Sequence, residues 1–117
     1  MEQEKKLKKS KEKVEKAKLR KVYLKIHIKD ECETIACCDE ELLNQVFKEG
    51  NLRIEISNRF FEGKLINLED AISILQNASF FNIVGEKIIN EAINKKILTK
   101  EGVRFINGIP MALKMMF

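Results

Sequence analysis

The stretch that decides the fold is Val22-Tyr23-Leu24-Lys25-Ile26-His27-Ile28-Lys29, followed by Asp30-Glu31 and then Thr34-Ile35-Ala36-Cys37-Cys38. Val22, Leu24, Ile26 and Ile28 alternate with Tyr23, Lys25, His27 and Lys29. A period of two is the pattern of a half-buried strand. Asp30-Glu31 reads as a turn, and the short apolar run to Cys38 as the returning strand of a hairpin. The chain closes on a second hairpin. Val103–Ile106 and Met111–Met115 flank Asn107-Gly108, a type I′ turn signal. Pro110 lacks a backbone N–H, which places the last strand at an edge or starts it after the proline.

Between the hairpins the pattern turns helical. Asp39 reads as an N-cap, with Glu40 and Glu41 in a favourable first turn and Leu42, Leu43, Val46 and Phe47 on one apolar face. Gly50 stands where a left-handed residue would end that helix. Leu52, Ile54 and Ile56 alternate as a third strand, Asn58 to Gly63 is a loop, and Lys64 to Ile66 is a brief fourth strand. Asn67 caps a second helix whose buried stripe is Leu68, Ala71, Ile72 and Leu75, with Asp70 in a capping-box-like position. A third helix is expected from Ile83 to Lys95, with Val84, Ile88 and Ala92 inward. The order is ββαβ(β)ααββ. That is an α+β fold, a small single domain with a mostly antiparallel or mixed sheet of hairpins packed with about three helices.

The chain has 117 residues, 44% hydrophobic and 34% charged, the scale of one soluble domain. No apolar run approaches the ~20 residues of a membrane span, and the charged start does not resemble a secretory leader. A cytoplasmic protein without membrane contact is expected. Charge is uneven: residues 1–20 hold nine Lys/Arg against four Glu, so the net +4 resides there and residues 21–117 are nearly neutral. The division is therefore a basic arm, 1–20, frayed helix or disordered, and a globular domain, 21–117. The arm's helix formers lack a sustained apolar seam, which excludes a coiled coil. A basic arm on a neutral body fits a polyanion partner, because Lys and Arg release counterions from phosphates; a solubilising tail is the alternative.

Three cysteines, Cys32, Cys37 and Cys38, and one histidine, His27, do not form a paired metal-ligand pattern. Cys37 and Cys38, adjacent on a strand, point to opposite faces. No metal and no cofactor is expected. Nucleophile-elbow and phosphate-loop motifs are absent, and acidic pairs such as Glu69-Asp70 suit helix first turns. The reading leans away from an enzyme.

Five segments carry a resemblance: Cys38-Asp39-Glu40-Glu41-Leu42-Leu43, Phe47 to Leu52, Ser57-Asn58-Arg59-Phe60-Phe61-Glu62-Gly63, Asn82-Ile83-Val84-Gly85-Glu86 and Asn107-Gly108-Ile109-Pro110. In this order they resemble an archaeal family catalogued as domain of unknown function 424, over about residues 21–117. The resemblance implies an archaeal cytoplasmic protein and a link to RNA or translation. None of the motifs is a catalytic signature.

Candidate sites follow from residues that local structure leaves unexplained. Arg59 and Phe60 share a loop, and arginine beside aromatics stacks on unpaired bases; loop anchoring by one Phe is the bland counterpart. Lys25 and Lys29 on the strand, with Lys64, complete the nucleic-acid set. Gly85 begins or interrupts a helix, at a cost of ~1 kcal/mol relative to alanine. Either tight helix-on-sheet packing explains it, or a ligand approaches the helix N-terminus near Asn82, Gly85 and Glu86. Three readings stand: a non-enzymatic RNA- or ribosome-associated module; a small-molecule site or enzyme with a pocket between Gly85 and Arg59; and a homodimer through the terminal hairpin, using Met111, Met115, Met116 and Phe117.

Overall fold

A computed structural model describes residues 20–115. The basic arm before Arg20 and the terminal Met116 and Phe117 lie outside the described residues. The elements are β1 (Lys21–Lys29), β2 (Cys32–Asp39), β3 (Val46–Glu49), β4 (Leu52–Glu55), α1 (Asn58–Phe61), β5 (Lys64–Asn67), α2 (Leu68–Gln76), β6 (Phe80–Val84), α3 (Glu86–Asn94), β7 (Arg104–Ile106) and β8 (Ile109–Lys114). Two 3₁₀ turns, Glu40–Leu42 and Lys100–Gly102, punctuate them. Six strands form one sheet in the order β5-β1-β2-β6-β8-β7, and β3-β4 is a separate two-stranded hairpin. The fold is α+β with a mixed sheet: β2 and β6 run parallel at its centre, and every other pair is antiparallel.

Side-chain alternation gives the sheet two faces. On the helix face, Val22, Leu24, Ile35, Cys37, Phe81, Ile83 and Ala112 pack with Leu68, Ala71, Ile72 and Leu75 of α2 and Ile88, Ile89 and Ala92 of α3. The expected stripe of α2 is buried throughout. On the opposite face, here the hairpin face, Ala36, Cys38 and Val84 lie under Leu42, Ile56 and Phe61. Phe47 and Ile54 of the small hairpin pack on that second cluster. Residues 40–63 thus roof part of the hairpin face. Cys37 and Cys38 belong to the two different clusters, as alternation requires.

Several expectations need correction. No helix follows Asp39. After one 3₁₀ turn, Asn44 adopts φ +68°, which breaks the helical path, and Val46 and Phe47 pair with Glu55 and Ile54. Gly50, at φ +59°, serves the tight turn of that hairpin rather than a helix end. Helix three does not begin at Ile83. Phe80–Val84 is a strand with neighbours on both sides; its burial alternates from Phe80 to Ile83, and only its end at Ile83 and Val84, covered on both faces, blends into the apolar pattern of the helix that follows. Asn58–Phe61, expected as loop, makes one helical turn, with Ser57 Oγ accepting from the Phe60 N–H at 3.2 Å. Asn67 stands at the N-cap of α2, but its Oδ1 accepts from Lys21 Nζ at 2.6 Å instead of capping. Strand β8 is interior, and it contains Pro110. The proline is tolerated because it lies one residue beyond the β6 ladder, which ends at Val84 opposite Met111. Finally, Ile26 and Ile28 keep the alternation of β1 but are 47% and 70% exposed, because the hairpin tip outruns the helices.

Candidate functional site: the open half of the hairpin face

Two regions deserve construction from their residues: the carboxyl ends of β2 and β6, and the uncovered part of the hairpin face.

At the carboxyl ends, the chain leaves β2 toward the hairpin face and leaves β6 toward the helix face. Crevices at such divergences commonly hold ligands in open sheets with parallel strands. Here Asp39 occupies the space. Its Oδ2 accepts from the Lys87 N–H at 2.8 Å and its Oδ1 from the Ile88 N–H at 3.0 Å, which satisfies two orphan donors of α3. Gly85, at φ +124°, is the N-cap of α3. A Cβ there would fall between the carboxylate oxygens, 2.7 Å from Oδ1 and 2.6 Å from Oδ2. Glycine is thus needed twice, for its backbone angle and for the approach of Asp39. Asp39 is 1% exposed, and burial pushes its carboxyl up to about 6 against the lowering effect of the two backbone N–H groups. Glu41, paired with Lys87 Nζ at 3.2 Å, raises it further. The donors expected to meet a ligand at Gly85 are taken by the protein itself. Glu86 is exposed beside them. This region is a structural clamp joining β2 to α3. Burial likewise pushes the Cys37 thiol well up and the Cys38 thiol up to about 12, so neither is a ready nucleophile.

The hairpin face is different. Its roofed half ends at α1. Lys25 Nζ donates to the Arg59 carbonyl at 2.7 Å, and His27 Nε2 donates to the Phe60 carbonyl at 2.8 Å. The His27 ring stacks on Phe60 at 4.6 Å and 17°, and Phe60 meets the buried Phe61 edge-on at 5.0 Å. Phe61 is therefore the anchor of the turn, and it leaves Arg59 exposed. Gly63 lets the chain pass from α1 into β5 against β1, since a Cβ there would overlap the Leu24 carbonyl.

Beyond α1 the sheet is bare. Alternation places Lys29, Cys32, Thr34, Phe80, Asn82 and Leu113 on this face together with Lys25 and His27. None is acidic. Asn82 lies between Ala36 and Leu113, and its Oδ1 finds no protein partner although it is buried. The arrangement offers cations at one side and flat rings in the middle.

The structure thus brings together Lys25, Lys29, Arg59, Phe60 and Asn82. It does not bring in Lys64, which pairs with Leu24 and therefore lies on the other face, at the β5 edge. Nor does it bring in Gly85 and Glu86, which stand at the clamp. The sequence pattern assigns Phe80 to no element and gives Thr34 no neighbouring strand beyond β1, so neither was legible as a face residue. It also missed Asp39 as a long-range cap. The one available signal was Gly85, a glycine with no turn to explain it. Among the described residues no group of three or more metal-ligating side chains converges, and no helix is long and apolar enough to cross a membrane.

Comparison with known proteins agrees with the fold. An uncharacterized conserved protein from Methanopyrus kandleri, known from a crystal structure, superposes with a TM-score of 0.70 at 22% identity, over 80% of this chain and 89% of that one. None of the curated proteins compared matches the chain. The family model described as "Protein of unknown function (DUF424)" matches residues 26–116, and the chain belongs to that family.

Proposed function

We propose that this protein is a non-enzymatic, translation-associated module that binds single-stranded RNA on the open half of its hairpin face. One observation carries the reading: a sheet surface left open beyond α1, with cations and stacking rings and no carboxylate. Lys25, Lys29 and Arg59 meet phosphates. His27, Phe60 and Phe80 offer π surface to unstacked bases. The one-sided basic arm adds affinity that is sensitive to salt and indifferent to sequence.

Single strands are favoured over duplexes because stacking on a sheet needs exposed base faces, which A-form helices hide. The test is anisotropy titration of the full chain with a 12-nucleotide unstructured RNA and with its duplex, at 0.1 and 0.4 M salt. Transfer RNA and ribosomal RNA serve as the natural probes. The single strand is expected to bind about tenfold or more tightly than the duplex. Equal affinity for both, with equal salt slopes, would leave the arm as a generic polycation and the face without a role.

A further inference from the structure

Besides the outer edges of the end strands β5 and β7, the strands next to them, β1 and β8, each run past their partner and leave a stretch of edge unpaired; these two stretches differ in charge. At one side β5 pairs with β1 only from Lys21 to Leu24, which leaves the outer edge of Lys25–Lys29 beyond that ladder. At the other side β7 pairs with β8 only from Ile109 to Met111, which leaves the outer edge of Ala112–Lys114 without a strand partner among the described residues. Free edges invite another strand unless something blocks it.

The β1 edge is blocked against its own kind. Antiparallel pairing of two copies about His27 sets Lys25 directly opposite Lys29 twice, and like charges directly opposite destabilise a ladder. The β8 edge carries no such block. Pairing about Leu113 sets Ala112 opposite Lys114, and the ammonium of Lys114 is already held on the Ala78 carbonyl at 2.9 Å, close to the Phe81 ring. The side chains around this edge are apolar and exposed: Leu113 62%, Phe105 61%, Met115 59% and Leu52 56%. A groove of about 570 Å³ lies at this edge, lined by Leu52, Met111 and Leu113 and by the opposite charges of Glu101 and Arg104. A two-fold partner therefore meets no rim of a single sign.

We propose that a second copy of this chain occupies the β8 edge, forming an antiparallel two-fold pair that continues the six-stranded sheet across both subunits. Leu113 sits at the two-fold centre, and the exposed apolar side chains around it are covered by their symmetry mates.

The test is sedimentation equilibrium of the full chain without RNA, from about 1 to 200 μM. Wild type is expected to pass from monomer toward dimer in that range. Leu113→Lys places two like charges at the centre and removes apolar contact, so it weakens self-association about tenfold or more. Ile28→Lys, at the opposite edge, leaves it unchanged. Both positions are exposed, and circular dichroism checks that both variants fold. A wild type that stays monomeric at 200 μM overturns the proposal. So does a dimer that survives Leu113→Lys, or one that is lost in Ile28→Lys.

Discussion

The hairpin face is one surface with two halves. Over the half near the carboxyl ends of β2 and β6, residues 40–63 roof Ala36, Cys38 and Val84, and the buried Asp39 has both carboxylate oxygens on backbone N–H groups of α3. Over the other half, Asn82 keeps an unpartnered Oδ1 and Leu113 is 62% exposed. The first half spends its polar groups on itself. The second closes Lys25 and His27 onto α1 but leaves the Asn82 Oδ1 unpartnered and Leu113 exposed. A clamp and a binding surface use similar residue types, and what separates them is whether the hydrogen bonds close within the chain.

If the clamp is structural, damaging it will unfold the protein rather than unload it. Gly85→Ala is expected to have the largest effect. Its Cβ would meet Asp39 and its φ of +124° is strained for any other residue, so a loss of about 3 kcal/mol or more is expected in urea unfolding. Asp39→Asn comes next, at about 2 kcal/mol near pH 5, because an amide turns an N–H toward Lys87 or Ile88. Its pH dependence is diagnostic. The Asp39 carboxyl titrates at about 6 in the folded chain, above its value near 4 when unfolded. The folded state then holds the proton more tightly, so this group stabilises most below about pH 4, and its contribution falls as pH rises to 6. The gap between wild type and Asp39→Asn should narrow over that window. A gap that widens would mean that the carboxylate, and not the acid, is the favoured form.

The open half should respond in the opposite way, with binding lost and stability kept. Lys29→Glu with Arg59→Glu is expected to weaken single-stranded RNA about tenfold at 0.1 M salt and to flatten the salt slope by about two, since two phosphate contacts go. Unfolding midpoints should hardly move, because both residues are exposed. The smallest expected change is His27→Ala. It removes the stack on Phe60 and one hydrogen bond to α1, costing about 1 kcal/mol of stability and roughly fivefold in RNA affinity. If His27→Ala left RNA binding untouched while Phe80→Ala abolished it, the binding surface would centre on β6 instead of β1.

The division between legible and illegible parts of the sequence follows the same physics. Both hairpins were readable, the first because β1 alternates and both because their turns have a strong local preference: Asp30 and Glu31 at φ +51° and +66°, Asn107 and Gly108 at +50° and +79°. Helix α2 was readable because only one stripe meets the sheet. Strand β6 was not, because it is five residues long and its buried end, Ile83-Val84, runs straight into the apolar spacing of α3. The segment after Asp39 misled because Leu42, Leu43, Val46 and Phe47 have helical spacing, and only the left-handed turn at Asn44 and pairing with a later strand override it. Of the site, Lys25, Lys29, Arg59 and Phe60 were found from residue type, and Asn82 only as part of a different expected site with Gly85 and Glu86. Their convergence was not, since α1 meets β1 through Lys25 and His27, and Asn82 joins them through the β2–β6 parallel pairing, both between residues far apart in sequence.

The most direct test of the binding surface is an amide chemical-shift titration of the ¹⁵N-labelled full chain with a 12-nucleotide unstructured RNA at 0.1 M salt. The expected result is a contiguous set of shifts at His27, Thr34, Phe80 and Asn82, with Lys87 and Ile88 at the clamp unmoved. Shifts confined to residues 1–20, or centred on α2 and α3, would contradict it.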